Sequence, residues 1–155
     1  MQFAELTAGR SIECGEASLT EGEIIEFGRA YDPQPFHTDV ARATAGPWKG
    51  LIASGWQTCG IAMRLIGNAI LDGSESYGSP GLAYIKWENP VRAGDRLRLV
   101  VDVIEQRVAR SNPSLGIVRW RWRLYNQDNA PVLDTEVTSL FDLEESQRLS
   151  SSARS

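Results

Sequence analysis

Asp32 and His37 lie five residues apart in a proline-rich segment, and His37 is the only histidine of the 155-residue chain. A carboxylate and an imidazole that act on one water or substrate proton form a general acid/base pair. A capped turn accounts for the same residues, because Asp before Pro often begins a turn. An extended polyproline stretch rises about 3.1 Å per residue and would hold the two groups roughly 15 Å apart. A working pair therefore requires the chain to turn at Pro33 or Pro35.

The start of a helix at Ser54 offers a third chemical group, a backbone N–H. Serine is a good N-cap, so Gly55 becomes the first helical residue and its N–H has no acceptor within the helix. This N–H lies at the positive end of the helix, and glycine allows a ligand to approach the backbone closely. A carbonyl placed there is polarised as it gains charge, as in an oxyanion hole. An ordinary helix start with glycine for packing remains the alternative.

The first half of the chain is predicted to be helical. Thr20 and Glu23 form a capping box that begins a short helix, and the prolines after Asp32 end it. A second short helix is expected over residues 39–43. Ser54 and Gln57 form another capping-box pattern before a helix that is apolar around most of its circumference. Such a helix belongs inside a fold, wrapped by a sheet.

From Pro80 onward apolar and polar residues alternate, which is typical of strands. Alternating segments cover residues 83–87, 97–103, 118–124 and 132–141, and a further strand is expected near residues 10–14. Short turns between consecutive strands predict an antiparallel sheet, hence an α+β fold of about five strands around one long helix. Trp120 and Trp122 are assigned to its inner face. A free sheet edge and uncovered apolar surface favour a dimer.

Length and composition limit the remaining possibilities. A length of 155 residues fits one domain, here residues 1–143, followed by a flexible Ser-rich tail over 144–155. The net charge of −4 gives no support for nucleic-acid binding. No apolar run is long enough for a membrane helix, so none is expected. Residues 1–5 lack a basic start and an apolar stretch, so no secretory signal is expected either. Cys14 and Cys59 have no metal-site spacing and are expected to be free thiols in a reducing cytoplasm.

Three segments carry a family resemblance. The letters DPQPFHTD, at residues 32–39, are followed by GLIASGW at residues 50–56, and WENPVRAGD occupies residues 87–95. Together these motifs resemble the MaoC-like dehydratases, the (R)-specific enoyl-CoA hydratases of the hotdog fold, over roughly residues 18 to 142. The resemblance implies a long central helix wrapped by a curved antiparallel sheet. It also implies a lyase that adds or removes water across the C2=C3 bond of a 2-enoyl thioester, with no metal or organic cofactor.

The resemblance also implies roles for individual residues. Asp32 activates or holds the water, His37 exchanges a proton with the substrate, and the N–H of Gly55 binds the thioester oxygen. Which member of the pair serves C2 stays open. Members commonly carry His where this chain has Ser54, so the Ser54 hydroxyl either caps the helix or touches the site. Some members place a serine one helical stretch further on to support the aspartate. This chain has Met63 near that position and Thr58 closer in, which leaves the support of Asp32 open.

Further residues are candidates for substrate binding. The residues that could line an acyl tunnel are Trp48, Trp56, Met63 and Ile66, although core packing is favoured for any single one of them. Ser54 is a further candidate through its hydroxyl. Arginines at positions 119, 121 and 123 share one strand face, for which a solvated surface or a dimer contact is favoured over a coenzyme A phosphate site.

Two other functions are compatible with the same features. A hotdog thioesterase also uses a carboxylate, a water and a helix-end N–H, but its water attacks the thioester carbonyl. A non-catalytic acyl-thioester binding module needs no acid/base pair, so the presence of Asp32 and His37 weighs against it. The sequence therefore predicts a cytoplasmic homodimer that acts on an acyl-CoA thioester.

Overall fold

The computed structural model describes residues 1–144, in which a long helix packs against one five-stranded sheet. The helices are α1 (Glu21–Tyr31), α2 (Pro35–Thr38), α3 (Val40–Ala45) and α4 (Gly55–Ile66). The strands are β1 (Ser11–Ala17), β2 (Ser76–Lys86), β3 (Leu97–Ala109), β4 (Asn112–Tyr125) and β5 (Pro131–Asp142). α4 continues through a π-helical stretch, Gly67–Leu71, to give a central helix of 17 residues.

All neighbouring strands are antiparallel, in the order β1-β3-β4-β5-β2. The three long strands β3, β4 and β5 form the middle of the sheet, while β1 and β2 form its edges. The predicted α+β architecture is therefore confirmed. The last three predicted segments lie within β3, β4 and β5, which extend beyond them. β2 begins at Ser76, ahead of the predicted segment 83–87, and ends at Lys86.

The core lies between α4 and the inner face of the sheet. α4 contributes Ile61, Ala62 and Ile66, and the sheet contributes buried side chains of β3, β4 and β5, most of them at alternate positions. Trp120 is fully buried and Trp122 nearly so, as predicted. Each large apolar side chain buried in this way stabilises the fold by about 1.5–3 kcal/mol, which fixes the position of the helix against the sheet.

The outer face of the sheet carries ion pairs. Arg119 contacts Glu105 at 3.2 Å and Glu136 at 2.8 Å, Arg121 contacts Asp134, and Arg123 contacts Asp102. All three predicted strand-face arginines are therefore paired with carboxylates of neighbouring strands, which favours a structural charged face over a phosphate site.

Two local predictions for the helical half are corrected. Gln57 does not complete a capping box at α4; its side-chain amide donates to the Glu23 carbonyl at 3.0 Å instead. The predicted short helix over residues 39–43 is α3, which begins after the N-cap Asp39 and is preceded by a helical turn, α2, that was not predicted.

The two cysteines, the lengths of the helices and the end of the chain were also the subject of predictions. Cys14 and Cys59 are free, as predicted, and burial raises the pKa of both thiols, to about 11 for Cys14. None of the helices in residues 1–144 is long and apolar enough to cross a membrane. Apart from Glu144, the predicted Ser-rich tail lies outside the described residues.

Candidate active site

The chain reverses between Asp32 and His37 because two helices meet there. α1 ends at Tyr31, and Asp32 follows as its C-cap, with an N–H that donates to the Gly28 carbonyl at 2.9 Å. Pro35 then begins α2, where its missing N–H costs no helical hydrogen bond, and α2 carries His37 back toward α1. The Oδ2 atom of Asp32 consequently lies 3.1 Å from the Nε2 atom of His37.

The His37 ring is held in one orientation. The residue is only 4% exposed, and its Nδ1 lies 2.7 Å from the carbonyl oxygen of Ile52. Because a carbonyl oxygen can only accept, Nδ1 must carry a proton. The nitrogen that faces Asp32, Nε2, is therefore the one that can gain or lose a proton.

Asp32 is surrounded by hydrogen-bond donors. The Gln34 amide donates to Oδ1 at 2.7 Å, and the Ser54 hydroxyl donates to Oδ2 at 2.7 Å. Partial burial alone would raise the pKa of Asp32, but the hydrogen bonds from Gln34 and Ser54 and the neighbouring His37 lower it below its usual value. The carboxylate form is thus the one that this environment stabilises.

Ser54 connects Asp32 to the central helix. It is fully buried, and its Oγ accepts the N–H of Trp56 at 3.3 Å while donating to Asp32. The two alternatives for Ser54, a helix cap or a contact in the site, are both realised by one hydroxyl. Ser54 rather than Met63 or Thr58 supports the aspartate.

Gly55 begins α4 beside this network, and the indole of Trp87 covers it. The Trp56 N–H is bound by Ser54, whereas the Gly55 N–H has no hydrogen-bond acceptor within residues 1–144. A Cβ atom added to Gly55 would lie 2.4 Å from an indole carbon of Trp87. Trp56 meets the same indole edge-on, with ring centroids 5.3 Å apart. Glycine is therefore required here for close packing as well as for backbone access.

The predicted substrate-binding residues occupy three different places. Trp56 lies against Trp87, and Trp48 is fixed through its carbonyl oxygen by the Arg92 guanidinium at 2.6 Å. Met63 lines a cavity of about 460 Å³ between α4 and strands β2, β4 and β5. All three side chains are more than 40% exposed, so the favoured prediction of core packing is wrong for them, whereas Ile66 is fully buried in the core.

Residues 4–120 match the family model described as the MaoC like domain. The chain belongs to the MaoC-like dehydratase family. The predicted family membership is confirmed by this match, which includes Asp32, His37 and Gly55.

Relatives of this MaoC-like protein cover almost its whole length. YdeM of Bacillus subtilis, described as uncharacterized, is 29% identical, with 90% of this chain and 98% of the relative covered. The MaoC-like dehydratase of Rhodospirillum rubrum is 29% identical, with a TM-score of 0.83 and coverage of 90% and 94%. The R-hydratase PhaJ1 of Pseudomonas aeruginosa is 25% identical, with a TM-score of 0.72 and coverage of 90% and 84%.

The hotdog architecture of the MaoC-like chain is confirmed by a further structure. A Mycobacterium tuberculosis protein described as a double hotdog fold is 17% identical, with a TM-score of 0.71. The match covers 90% of this chain and 43% of that protein. This similarity concerns the fold alone.

Three residues of the site were not singled out from the sequence of the MaoC-like protein. Gln34 and Ile52 hydrogen-bond the dyad, and Trp87 packs on Gly55. Gln34 could have been found from the sequence, because it lies two residues after Asp32 in a turn, where its amide can hydrogen-bond the carboxylate. Ile52 contributes only its carbonyl group, which any residue type supplies, so its side chain carries no signal.

Proposed function

We propose that this MaoC-like protein is an enoyl-CoA hydratase/dehydratase, which adds or removes water across the C2=C3 bond of a 2-enoyl thioester. The observation that carries the proposal is the 3.1 Å separation of Asp32 Oδ2 and His37 Nε2 next to the first residue of α4. This arrangement joins an acid/base pair to a backbone donor, the combination that proton transfer beside a carbonyl requires. The similarity to an R-hydratase of known structure supports the same reaction.

Gly55 and the start of α4 would bind the thioester carbonyl. Addition of water to C3 moves negative charge from the double bond toward the thioester oxygen. A free N–H at the positive end of a helix stabilises that charge without reorganisation. The substrate needs no further electron sink, because the thioester itself makes the proton at C2 acidic.

Asp32 and His37 would divide the proton transfers of the reaction. Asp32 is an ionised carboxylate, because the effect of burial is outweighed by the hydrogen bonds from Gln34 and Ser54 and by the neighbouring His37, which lower its pKa. Since Nδ1 of His37 already carries a proton, the 3.1 Å contact between Nε2 and the carboxylate needs a proton on Nε2. As the water oxygen bonds to C3, Asp32 accepts a proton from the water and His37 gives its Nε2 proton to C2. The proton on Asp32 then passes to Nε2, which restores the pair. The sum is one water added, with OH on C3 and H on C2, and dehydration follows the reverse path.

The decisive assay follows the ultraviolet absorbance of enoyl thioesters with purified protein. Crotonyl-CoA and longer or branched 2-enoyl-CoA substrates are tested, with a thiol reagent in a parallel well. Loss of absorbance without free thiol is the expected result. Release of free thiol would instead identify a thioesterase, and binding of these thioesters without turnover would identify a binding module.

Substitutions of the dyad test the assigned chemistry. Asp32→Asn and His37→Gln are expected to reduce kcat/KM by about 10²-fold or more, the usual contribution of a general acid or base. Asp128→Asn is the matched control, because it makes the same chemical change at an exposed turn residue between β4 and β5. Activity of either dyad variant within a few-fold of the unaltered protein would remove the pair from the mechanism.

The active form is proposed to be a homodimer in a reducing cytoplasm. β2 forms an edge of the sheet, most of its residues are exposed, and Leu82 on it is 47% exposed. An apolar, unpaired strand edge is a natural site for a second copy. Light scattering that gives the mass of one chain at assay concentration would contradict the dimer. The reducing environment is tested separately: both cysteines should react as free thiols after denaturation.

A further inference from the structure

The cavity beside Met63 is the part of the molecule that the proposed chemistry leaves unexplained. Its volume is about 460 Å³, within the range of ligand pockets. Its lining comes from α4, the end of the central helix, β2, β4 and β5, and it includes Cys59, Met63, Trp122 and Ser139. None of the side chains that line the cavity is charged, so the cavity suits an uncharged organic group.

Two buried donors lie in this lining without acceptors. The indole N–H of Trp122 is buried and has no hydrogen-bond partner within residues 1–144. Ser139 is 5% exposed, and its Oγ accepts the indole N–H of Trp120 at 3.2 Å, which leaves its own hydroxyl proton without an acceptor in the same residues. Buried donors nearly always have a partner, so two of them at one cavity indicate a ligand that supplies an acceptor.

The cavity begins one helical turn beyond the candidate oxyanion site. At 1.5 Å per residue, Cys59 lies about 6 Å and Met63 about 12 Å from Gly55 along the helix axis. Trp87 lies between the two places, because it packs on Gly55 and is near enough to the Cys59 thiol to affect its pKa, and Cys59 lines the cavity. An acyl chain whose thioester is held at Gly55 therefore has a cavity within reach.

We propose that this cavity receives the far part of the acyl group, and that Trp122 and Ser139 bind an uncharged oxygen carried by it. The preferred thioesters are then those with a keto, ether or similar oxygen substituent beyond C3. A terminal carboxylate is excluded, because the lining offers no cation and burying an unpaired charge is very costly. The location of the acyl chain rests on the proposed function, whereas the preference for an uncharged oxygen rests on the two donors.

Binding of saturated acyl-CoA esters tests the preference without requiring turnover. Calorimetry compares octanoyl-CoA, the series of its derivatives with a keto group at successive positions beyond C3, and the ester with a terminal carboxylate. One keto isomer should bind about tenfold more tightly than octanoyl-CoA, the size of a net hydrogen bond or slightly more. The carboxylate ester should bind more weakly than octanoyl-CoA.

Three variants identify the donors. Trp122→Phe removes the N–H but keeps an aromatic ring, and Ser139→Ala removes the hydroxyl. Each should reduce the ratio of keto to alkyl affinity toward one. Thr138→Ala is the matched control, because it removes a hydroxyl from the residue of β5 directly before Ser139, which does not line the cavity. This variant should keep the ratio of keto to alkyl affinity unchanged. The affinity ratio is compared within each folded variant. If Trp122→Phe does not fold, Ser139→Ala alone still tests the proposal.

The outcomes distinguish failure of the cavity assignment from failure of the proposed hydratase function. Equal affinity for keto and alkyl esters at every position, absence of binding by all esters, or a ratio unaffected by both variants overturns the cavity assignment. Tight keto binding that depends on Trp122 or Ser139, together with no hydration of any enoyl-CoA, leaves the cavity assignment standing and overturns the hydratase.

Discussion

The Ser54 hydroxyl donates to Oδ2 of Asp32 at 2.7 Å and accepts the N–H of Trp56 at 3.3 Å. One side chain thus caps the central helix and holds the carboxylate of the dyad. The position of Asp32 is tied in this way to the amino end of α4, where the thioester carbonyl is proposed to bind. The same hydrogen bond helps to lower the pKa of Asp32.

Replacing Ser54 by Ala should change the pH dependence of the reaction. Removal of a hydrogen bond to the carboxylate raises the pKa of Asp32, so the acidic limb of the kcat/KM profile should move to higher pH. Loss of the N-cap should also reduce the free energy of unfolding by about 1 kcal/mol. The measurements are a pH–rate profile and urea unfolding of both proteins.

Thr20→Ala separates the two effects. Thr20 caps α1 by accepting the Glu23 N–H and has no hydrogen bond to the dyad. This variant should lose stability to a similar extent but keep the acidic limb in place. If the limb stays unchanged in Ser54→Ala as well, the hydrogen bond to Asp32 has no part in setting its ionisation.

The indole of Trp87 should make Gly55 intolerant of any side chain. Gly55→Ala keeps the backbone N–H but places a methyl group where the indole lies, 2.4 Å from its nearest carbon. Overpacking of this kind costs about 1–3 kcal/mol and should displace Trp87 from the start of α4, with loss of activity.

A double variant reveals the cause of the Gly55→Ala defect. If the collision with the indole is responsible, Trp87→Ala should restore part of the stability that Gly55→Ala loses, and the two changes should be strongly non-additive. Thermal unfolding of the two single variants and the double variant gives the coupling. Additive losses would mean that the methyl group does not disturb Trp87.

Local sequence patterns predicted the elements but only part of the site. The capping box of Thr20 and Glu23, and the alternation along β3, β4 and β5, depend on neighbours in the sequence and were confirmed. The dyad could be proposed because its members are five residues apart. Pro35 does not by itself predict α2, because proline ends a preceding helix as readily as it begins a new one at the first helical position.

Contacts between distant residues could not be derived in this way. Ser54 reaches Asp32 across 22 positions, and Trp87, which follows β2, packs on Gly55 in a sheet where β2 pairs with β5. Gln57 is an example of a local and a distant partner competing for one side chain. Its amide does not make the predicted capping interaction but donates to the Glu23 carbonyl of another helix. Tertiary packing decides which hydrogen-bond partner such a side chain takes, whereas the local sequence pattern shows only which partners are possible.

Asp134 should make the stability of the sheet depend on pH. Arg121 donates to both of its carboxylate oxygens, at 2.9 and 2.6 Å, and the Tyr84 hydroxyl donates at 2.9 Å. The Arg121 hydrogen bonds lower the pKa of Asp134, with burial opposing them. Asp134→Asn should therefore destabilise the protein near neutral pH by about 2 kcal/mol, the size of hydrogen bonds to a charged group. The partial exposure of Arg121 keeps the value below that of a fully buried pair.

The sign of the pH dependence follows from the lowered pKa of Asp134. The folded protein holds the proton of Asp134 less tightly than the unfolded chain, so this stabilisation is complete above the unfolded pKa of about 3.9. It is lost as the pH falls toward and through the folded pKa. The difference in unfolding free energy between the unaltered protein and Asp134→Asn should thus be constant near neutral pH and shrink below about pH 4. Urea unfolding across this range, with Asp128→Asn as the exposed control, would contradict the ion-pair interpretation if the difference persisted in acid.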